Sequence, residues 1–395
     1  MPFPAVLDIP DSILQIARVL EGAGYEAWCV GGSLRDTLLG YQQSDFDIAT
    51  SATPDEVQRL FPRTVAVGIK YGTVGVLDRQ RALHEVTTFR RDVVTDGRHA
   101  VVEYGVSLEQ DLARRDFTIN AIAYHPLRRE WRDPFRGQED VEARLIRAVG
   151  DPAQRFEEDY LRILRALRFA ARFDFEIHPF TWEAARTEAQ GLAQLSAERV
   201  RDEWFKGLQT ARSITRFASL WLRVGAAAVW IPELESGPFA QGRVAEPPAS
   251  VRDPVLLTAL LTSSPTTVLR RLKASNAEVD RAQAMEGSPV EPVAADERSV
   301  RRWLSAVGSS ADDLAALWTL RRGTEPSWWV TAREIHRRGD PLTRSDLAIT
   351  GTDLQELGAT GPRVGQTLAA LLDRVLEEPS LNTRDQLLAL ARTLP

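Results

Sequence analysis

Cysteine is nearly absent from this chain of 395 residues: Cys29 stands alone, so no intrachain disulfide can form and a cysteine-based zinc site is excluded. Histidine is sparse as well. The five histidines, His84, His99, His125, His178 and His336, are scattered and none is followed by aspartate, which removes the His-Asp pair of metal-dependent phosphohydrolases. No apolar run approaches the roughly 20 residues that span a bilayer. Positive charge is not in excess either: the formal net charge is −6, which argues against a general nucleic-acid binder. Any contact with a polyanion must come from local arginine clusters. The opening MPFPAVLDIPDS lacks the charged-then-apolar pattern of a signal peptide, so a cytoplasmic location is expected. With 44% hydrophobic and 26% charged residues, the composition suits a soluble protein of two to four packed domains.

What is present is concentrated in the stretch from Trp28 to Thr50, WCVGGSLRDTLLGYQQSDFDIAT. A strand-like run from Tyr25 to Val30 turns at Gly31-Gly32 and continues as a helix predicted from Ser33 to Leu39, with Ser33 as its cap. Two glycines before a helix start let the backbone approach a phosphate, and the helix N-terminus favours negative charge. A second turn at Gly40 leads to Ser44-Asp45-Phe46-Asp47-Ile48. If that run is a strand, Asp45 and Asp47 share one face while Phe46 and Ile48 face the core. Carboxylates beside a phosphate cradle are the requirement of a divalent-metal phosphoryl-transfer site. A Gly-Gly turn alone, or an Asp-x-Asp alone, is equally at home in a solvated turn or strand edge.

In this order the pieces resemble motif A of the polymerase-β-type nucleotidyltransferases, in particular the class II tRNA nucleotidyltransferases and their bacterial poly(A) polymerase relatives. The resemblance implies an α+β chain. A nucleotidyltransferase head of mixed sheet and helices is expected over 1–148, a helical neck over 149–210, a helical body over 211–285 and a helical tail over 286–395. It also implies two Mg²⁺ ions on Asp45 and Asp47, and a triphosphate over Gly31, Gly32 and Arg35. The chain in order agrees with a small α/β domain first: a helix over 11–23, a Thr53-Pro54 helix start, and strand-like runs at 64–67, 74–77 and 82–89. On the last of these, Glu85 is either an exposed strand glutamate or a third catalytic carboxylate. The second reading follows from the family, in which an acidic residue precedes a Thr-Thr-Phe-Arg-like run.

Residues 90–106, RRDVVTDGRHAVVEYGV, form a polar segment where the family holds a flexible loop. The stretch after Arg90-Arg91 looks shorter than in enzymes that add the whole CCA, which resembles members that add only CC. From Ser107, SLEQDLARRDFTINAIAY resembles motif B, with a capping-box start at Ser107 and Gln110. In the family Arg115 would meet the triphosphate, while Asp116 and Asn120 would meet the ribose hydroxyls.

Residues 156–173, FEEDYLRILRALRFAARF, read as one helix with Asp159, Arg162, Arg165, Arg168 and Arg172 on one side. An arginine stripe is usually a solvated face, but Leu161 and Phe169 among the arginines do not suit one. Glu158-Asp159-x-x-Arg162 resembles motif D, the amino-acid template of the family, with Arg165 and Arg168 facing the triphosphate or the primer end. Cytosine and adenine each present an exocyclic amine donor beside a ring-nitrogen acceptor, so an accepting Asp159 and a donating Arg162 match both and reject uracil and guanine. Glu198-Arg199 resembles motif E, a brace for the template helix.

Helical periodicity continues to the end of the chain, interrupted by Pro/Gly-rich or polar intervals at 232–254 and 286–297. Trp318, Trp328 and Trp329 read as core. The expected activity is Mg²⁺-dependent transfer of CMP, as CC or the full CCA with ATP, from the triphosphate to the 3′ end of tRNA, with no membrane association. A poly(A) polymerase on the same scaffold is the alternative. A non-enzymatic RNA-binding derivative is opposed by the intact Asp-x-Asp.

Overall fold

The computed structural model describes residues 3–41, 46–95 and 100–394, with backbone only at 70, 92–95 and 100–102. The chain divides into two compact units, Met1–Glu235 and Ser236–Pro395, and the division falls inside the Pro/Gly-rich interval at 232–254.

The first unit is built on a seven-stranded mixed sheet. Its strands, in chain order, are β1 (Ala27–Val30), β2 (Asp47–Thr50), β3 (Thr64–Gly68), β4 (Thr73–Leu77) and β5 (Leu83–Thr88). A separate hairpin of β6 (Arg90–Thr95) and β7 (Ala100–Tyr104) follows, and β8 (Ala123–His125) and β9 (Glu130–Arg132) return to the sheet. The order across the sheet is β3-β4-β5-β2-β1-β8-β9, with β2 and β5 parallel and every other neighbour antiparallel. The segment expected as a loop over 90–106 is thus largely a hairpin; Asp96, Gly97, Arg98 and His99 lie outside the described residues.

Period-two alternation sorts the side chains to the two faces. On one face Phe46, Ile48, Val74, Val76 and Val86 pack against Ile13, Ile16 and Leu20 of α1 (Asp11–Gly22) and Val57 of α3 (Pro54–Leu60). On the other, Trp28, Val30, Ala49 and Ala123 pack against Leu108 and Leu112 of α4 (Leu108–Ala113). The Ser107 capping box starts α4 as read from sequence.

Between β1 and β2 lies α2 (Gly32–Leu38), and here the structure corrects the expected cap. Gly31, at φ 81°, occupies the N-cap position and starts the helix one residue early, so Ser33 falls inside it with its Oγ buried and unpaired. After α5 (Gly137–Glu142) come the neck helices: α6 (Pro152–Glu158), α7 (Leu161–Phe173), α8 (Pro179–Thr187), α9 (Ala197–Thr210) and α10 (Ile214–Val224). The single helix expected over 156–173 is broken. Asp159 is extended, at φ −159° and ψ 102°, and separates α6 from α7.

The second unit is helical, from Pro254–Leu261 to Arg384–Thr393. Trp328 is buried in it against Trp303, with ring centroids 4.7 Å apart. No helix among the described residues is long and apolar enough to cross a membrane.

Candidate active site

A cavity of about 600 Å³ opens between the sheet and α7, within the size range of small-ligand sites. Its floor is the sheet face carrying Val30, Asp47, Glu85 and Thr87. Parallel pairing of Ile48 with Val86 sets Asp47 beside Glu85 on adjacent strands, and both carboxylates are exposed. Asp45, the partner expected for Asp47, lies outside the described residues. Among the described residues no group of three or more His, Cys, Asp or Glu is arranged to hold a metal. Asp47 and Glu85 are nonetheless the hard oxygen donors that Mg²⁺ takes.

One wall is the glycine turn. Gly31 needs its positive φ, and a Cβ there would stand 3.0 Å from Arg115 Nη1. Arg115 lies beneath it, donating to Asp111 Oδ2 at 3.2 Å. Opposite stands α7, whose arginine side is a seam instead of a solvated face. Arg162 Nη1 donates to Glu158 Oε2 at 2.6 Å, Arg165 Nε to Asp116 Oδ2 at 2.7 Å, Arg168 Nε to Glu203 Oε2 at 2.5 Å and Arg172 Nη2 to Asp36 Oδ2 at 2.9 Å. The seam continues through Arg35, which donates to Asp36 Oδ1 at 2.6 Å and to Asn120 Oδ1 at 2.5 Å, while Asn120 Nδ2 donates to Asp116 Oδ1 at 2.8 Å. Phe169 is the apolar centre of this network, with Arg35, Arg165 and Arg168 stacked on its ring at 4.9, 5.2 and 4.3 Å.

Burial alone would raise the Asp116 carboxyl, but the Arg165 charge and the hydrogen bonds from Asn120, Arg165 and the Phe117 amide reverse this and hold its pKa at about 2. Arg165 is pushed up by Asp116 in return. Burial lowers Arg35 and Arg168 despite their acidic partners.

Of the residues singled out from sequence, Gly31, Gly32, Arg35, Asp47, Glu85, Arg115, Asp116, Asn120, Asp159, Arg162 and Arg165 line this one cavity. Arg168 does not. Its side chain is buried and held by Glu203 of α9, so the expectation that it faces a triphosphate or primer is corrected: geometry makes it a tie between α7 and α9. Arg35 lines the cavity but is only 4% exposed, and its donors are taken up by Asp36 and Asn120. Asp159 and Arg162 share the cavity without being one turn apart on a single helix. Asp159 Oδ1 accepts from the Leu161 amide at 3.1 Å, and Oδ2 accepts from Arg199 Nη2 at 2.7 Å.

Residues 27–147 match the family described as "Poly A polymerase head domain", and 174–237 match "Probable RNA and SrmB- binding site of polymerase A". The CCA-adding enzyme of Levilactobacillus brevis is 35% identical over 405 residues, covering 95% of this chain and 95% of that one. This chain belongs to the CCA-adding enzyme family. The family member from Streptococcus suis is 46% identical over 207 residues, so that match spans about half of each chain, 50% of this one and 51% of the relative. Among solved structures, the Bacillus stearothermophilus CCA-adding enzyme in complex with CTP superimposes with a TM-score of 0.83 at 33% identity, covering 97% of this chain and 96% of that chain.

Several lining residues of this family member escaped sequence reasoning. Thr73 and Thr87, joined through their hydroxyls at 3.0 Å, and Arg90 and Arg114 sit in the wall. Arg114 is adjacent to a motif residue and was legible by proximity; Thr73 reaches the site only because β4 pairs with β5. Arg199, read from sequence as a brace, lines the cavity as well as bracing it.

Proposed function

We propose that the chain is a template-independent nucleotidyltransferase that adds CMP, and AMP where the full CCA is made, to the 3′ end of tRNA. The observation that carries this reading is the convergence of exposed carboxylates, a glycine turn and the Asp159/Arg162 pair on one cavity. Seven arginines and four carboxylates line that cavity, a local positive balance in a chain of net charge −6, which suits a triphosphate.

In this reading the ribose of the incoming nucleotide lies against Asp116 and Asn120, which the seam holds rigid, and the triphosphate lies along Gly31, Gly32, Arg115 and Arg165. Asp159 accepts from the exocyclic amine of cytosine or adenine, and Arg162 donates to the neighbouring ring nitrogen. Asp159 is aimed by Arg199 and the Leu161 amide, so the choice of base is made by protein groups fixed before the nucleotide arrives. Asp45 and Asp47 would hold divalent metal, with Glu85 beside Asp47 on the neighbouring strand. Bound there, Mg²⁺ would acidify the acceptor 3′ hydroxyl and offset the charge of the departing pyrophosphate. The names of the relatives favour the full CCA as product, whereas the short segment after Arg90 favours CC. A cytoplasmic location and the division into head (1–148), neck (149–210), body (211–285) and tail (286–395) belong to the same proposal.

The test is incubation of the pure protein with Mg²⁺, a tRNA lacking its 3′ end and each triphosphate separately and together. Incorporation from CTP but not UTP or GTP is expected, and the length of the added tail distinguishes CC from CCA. A long adenylate tail would make the chain a poly(A) polymerase, and no incorporation would refute the reading.

A further inference from the structure

The sheet face that carries the two carboxylates does not end at the cavity. Gly75 of β4 pairs with Glu85, Leu77 with Leu83, and Val65 of the edge strand β3 with Gly75, so these positions share the face of Glu85. Over the cavity this face is covered by α4 and α7, and toward β3 its described side chains are exposed. Val65 and Val67 are each 44% exposed and Leu83 is 42% exposed, whereas Val74, Val76 and Val86 on the reverse face are buried. Gly75 makes the surface flush. A Cβ there would come within 2.6 Å of Leu83 Cδ1 and 2.7 Å of Val67 Cγ2, so those two side chains close over the glycine. The result is a flat apolar strip beginning at the strand pair that holds Glu85 and running outward across β4 and β3, roughly 10 Å at the usual strand spacing.

Such a strip on an edge strand exposes the chain to unwanted pairing, which a bound partner would relieve. We propose that it seats the unpaired 3′-terminal base of the acceptor RNA, a role that rests on the nucleotidyl-transfer reading above. Three features commit it to this occupant. The strip is continuous with the cavity through Glu85 and the Gly75 pairing. The opposite side of the cavity is walled by α7, where the incoming nucleotide would lie, so an acceptor hydroxyl reaches the carboxylates along the sheet from the β4 and β3 side. The turn between β4 and β5, at the end of the strip, carries Arg81, exposed and at φ 66°, a cation beside the strip in a chain of net charge −6. A base face against aliphatic side chains with a phosphate on arginine is a sequence-tolerant way to hold single-stranded RNA.

The experiment compares Val67→Thr and Leu83→Gln with wild type, using a tRNA lacking its 3′ end and the same RNA ending in an abasic nucleotide. Both variants should raise the KM for the intact acceptor about tenfold, the scale of returning one base face to water, with the KM for CTP and the urea midpoint unchanged. The abasic acceptor should lose the same factor on wild type and lose nothing further on the variants. Acceptor KM values within about twofold of wild type for both variants would overturn the assignment. So would a change in sedimentation of the variants with acceptor KM unchanged, which would give the strip to a contact between copies of this chain. Absence of any transfer by wild type would instead bring down the proposed function, and this assignment with it.

Discussion

Arg199 Nη2 donates to Asp159 Oδ2 at 2.7 Å, which joins a residue of α9 to the carboxylate proposed to read the base. The same carboxylate receives the Leu161 amide on its other oxygen. One side chain therefore holds the first amide of α7 and faces the cavity, and its orientation is fixed from two directions.

Removing the brace should loosen the reading without abolishing chemistry. Arg199→Ala is expected to lower discrimination of CTP over UTP by about tenfold, the scale of a lost charge-assisted hydrogen bond. Asp159→Ala should relax it further and also cost about 1 kcal/mol of stability through loss of the hydrogen bonds from the Leu161 amide and Arg199. Single-turnover incorporation with each triphosphate, alongside urea unfolding, measures both; unaltered base preference in Asp159→Ala would count against the template role.

Asp47→Ala should reduce transfer by at least about a thousandfold while RNA binding, followed by filter retention, stays near wild type. The carboxylate is exposed and its neighbours Phe46 and Ile48 supply the packing, so the fold should not suffer. Transfer at an unchanged rate would remove the metal proposal.

The Arg168–Glu203 pair is buried on both sides, at 9% and 5% side-chain exposure. Glu203→Ala leaves a guanidinium buried without its partner and should destabilise the first unit by about 3–5 kcal/mol. Arg168→Met combined with Glu203→Ala should recover much of that loss. Denaturant midpoints of the two variants measure the tie, and turnover of the double variant tests whether Arg168 is also needed at the triphosphate, in which case it folds but does not turn over.

The Asp116 carboxyl is held at about 2 in the fold, below its ordinary 3.8. A depressed carboxylate contributes stability that is complete above its unfolded pKa and disappears as pH falls through the folded one. Between pH 4 and pH 2, roughly 2 kcal/mol should therefore be lost through this group. Asp116→Asn should flatten that part of the stability profile and lower stability at neutral pH, as followed by chemical denaturation across the range.

The head was legible because strand alternation and the glycine turn are local: Phe46 and Ile48 go to the core together, and Asp47 to the cavity, as period two requires. The break at Asp159 was not legible, because the arginine spacing through 162–172 is helical and the Asp-Tyr junction carries neither glycine nor proline. Nor could spacing assign partners. Arg165 and Arg168 are three residues apart on one helix, yet one meets Asp116 from the head and the other Glu203 from α9, a distinction made only by tertiary packing. The early start of α2 followed from the backbone freedom of Gly31, which outweighed the capping preference of Ser33.

Because Arg35, Arg114, Arg115, Arg162, Arg165 and Arg199 around the cavity each already hold a carboxylate, an arriving triphosphate does not fill a bare cationic well. It trades places with, or shares, anions the protein supplies itself. Few small ions are displaced in such an exchange, so nucleotide affinity should decline with ionic strength far less steeply than the number of arginines around the cavity would imply.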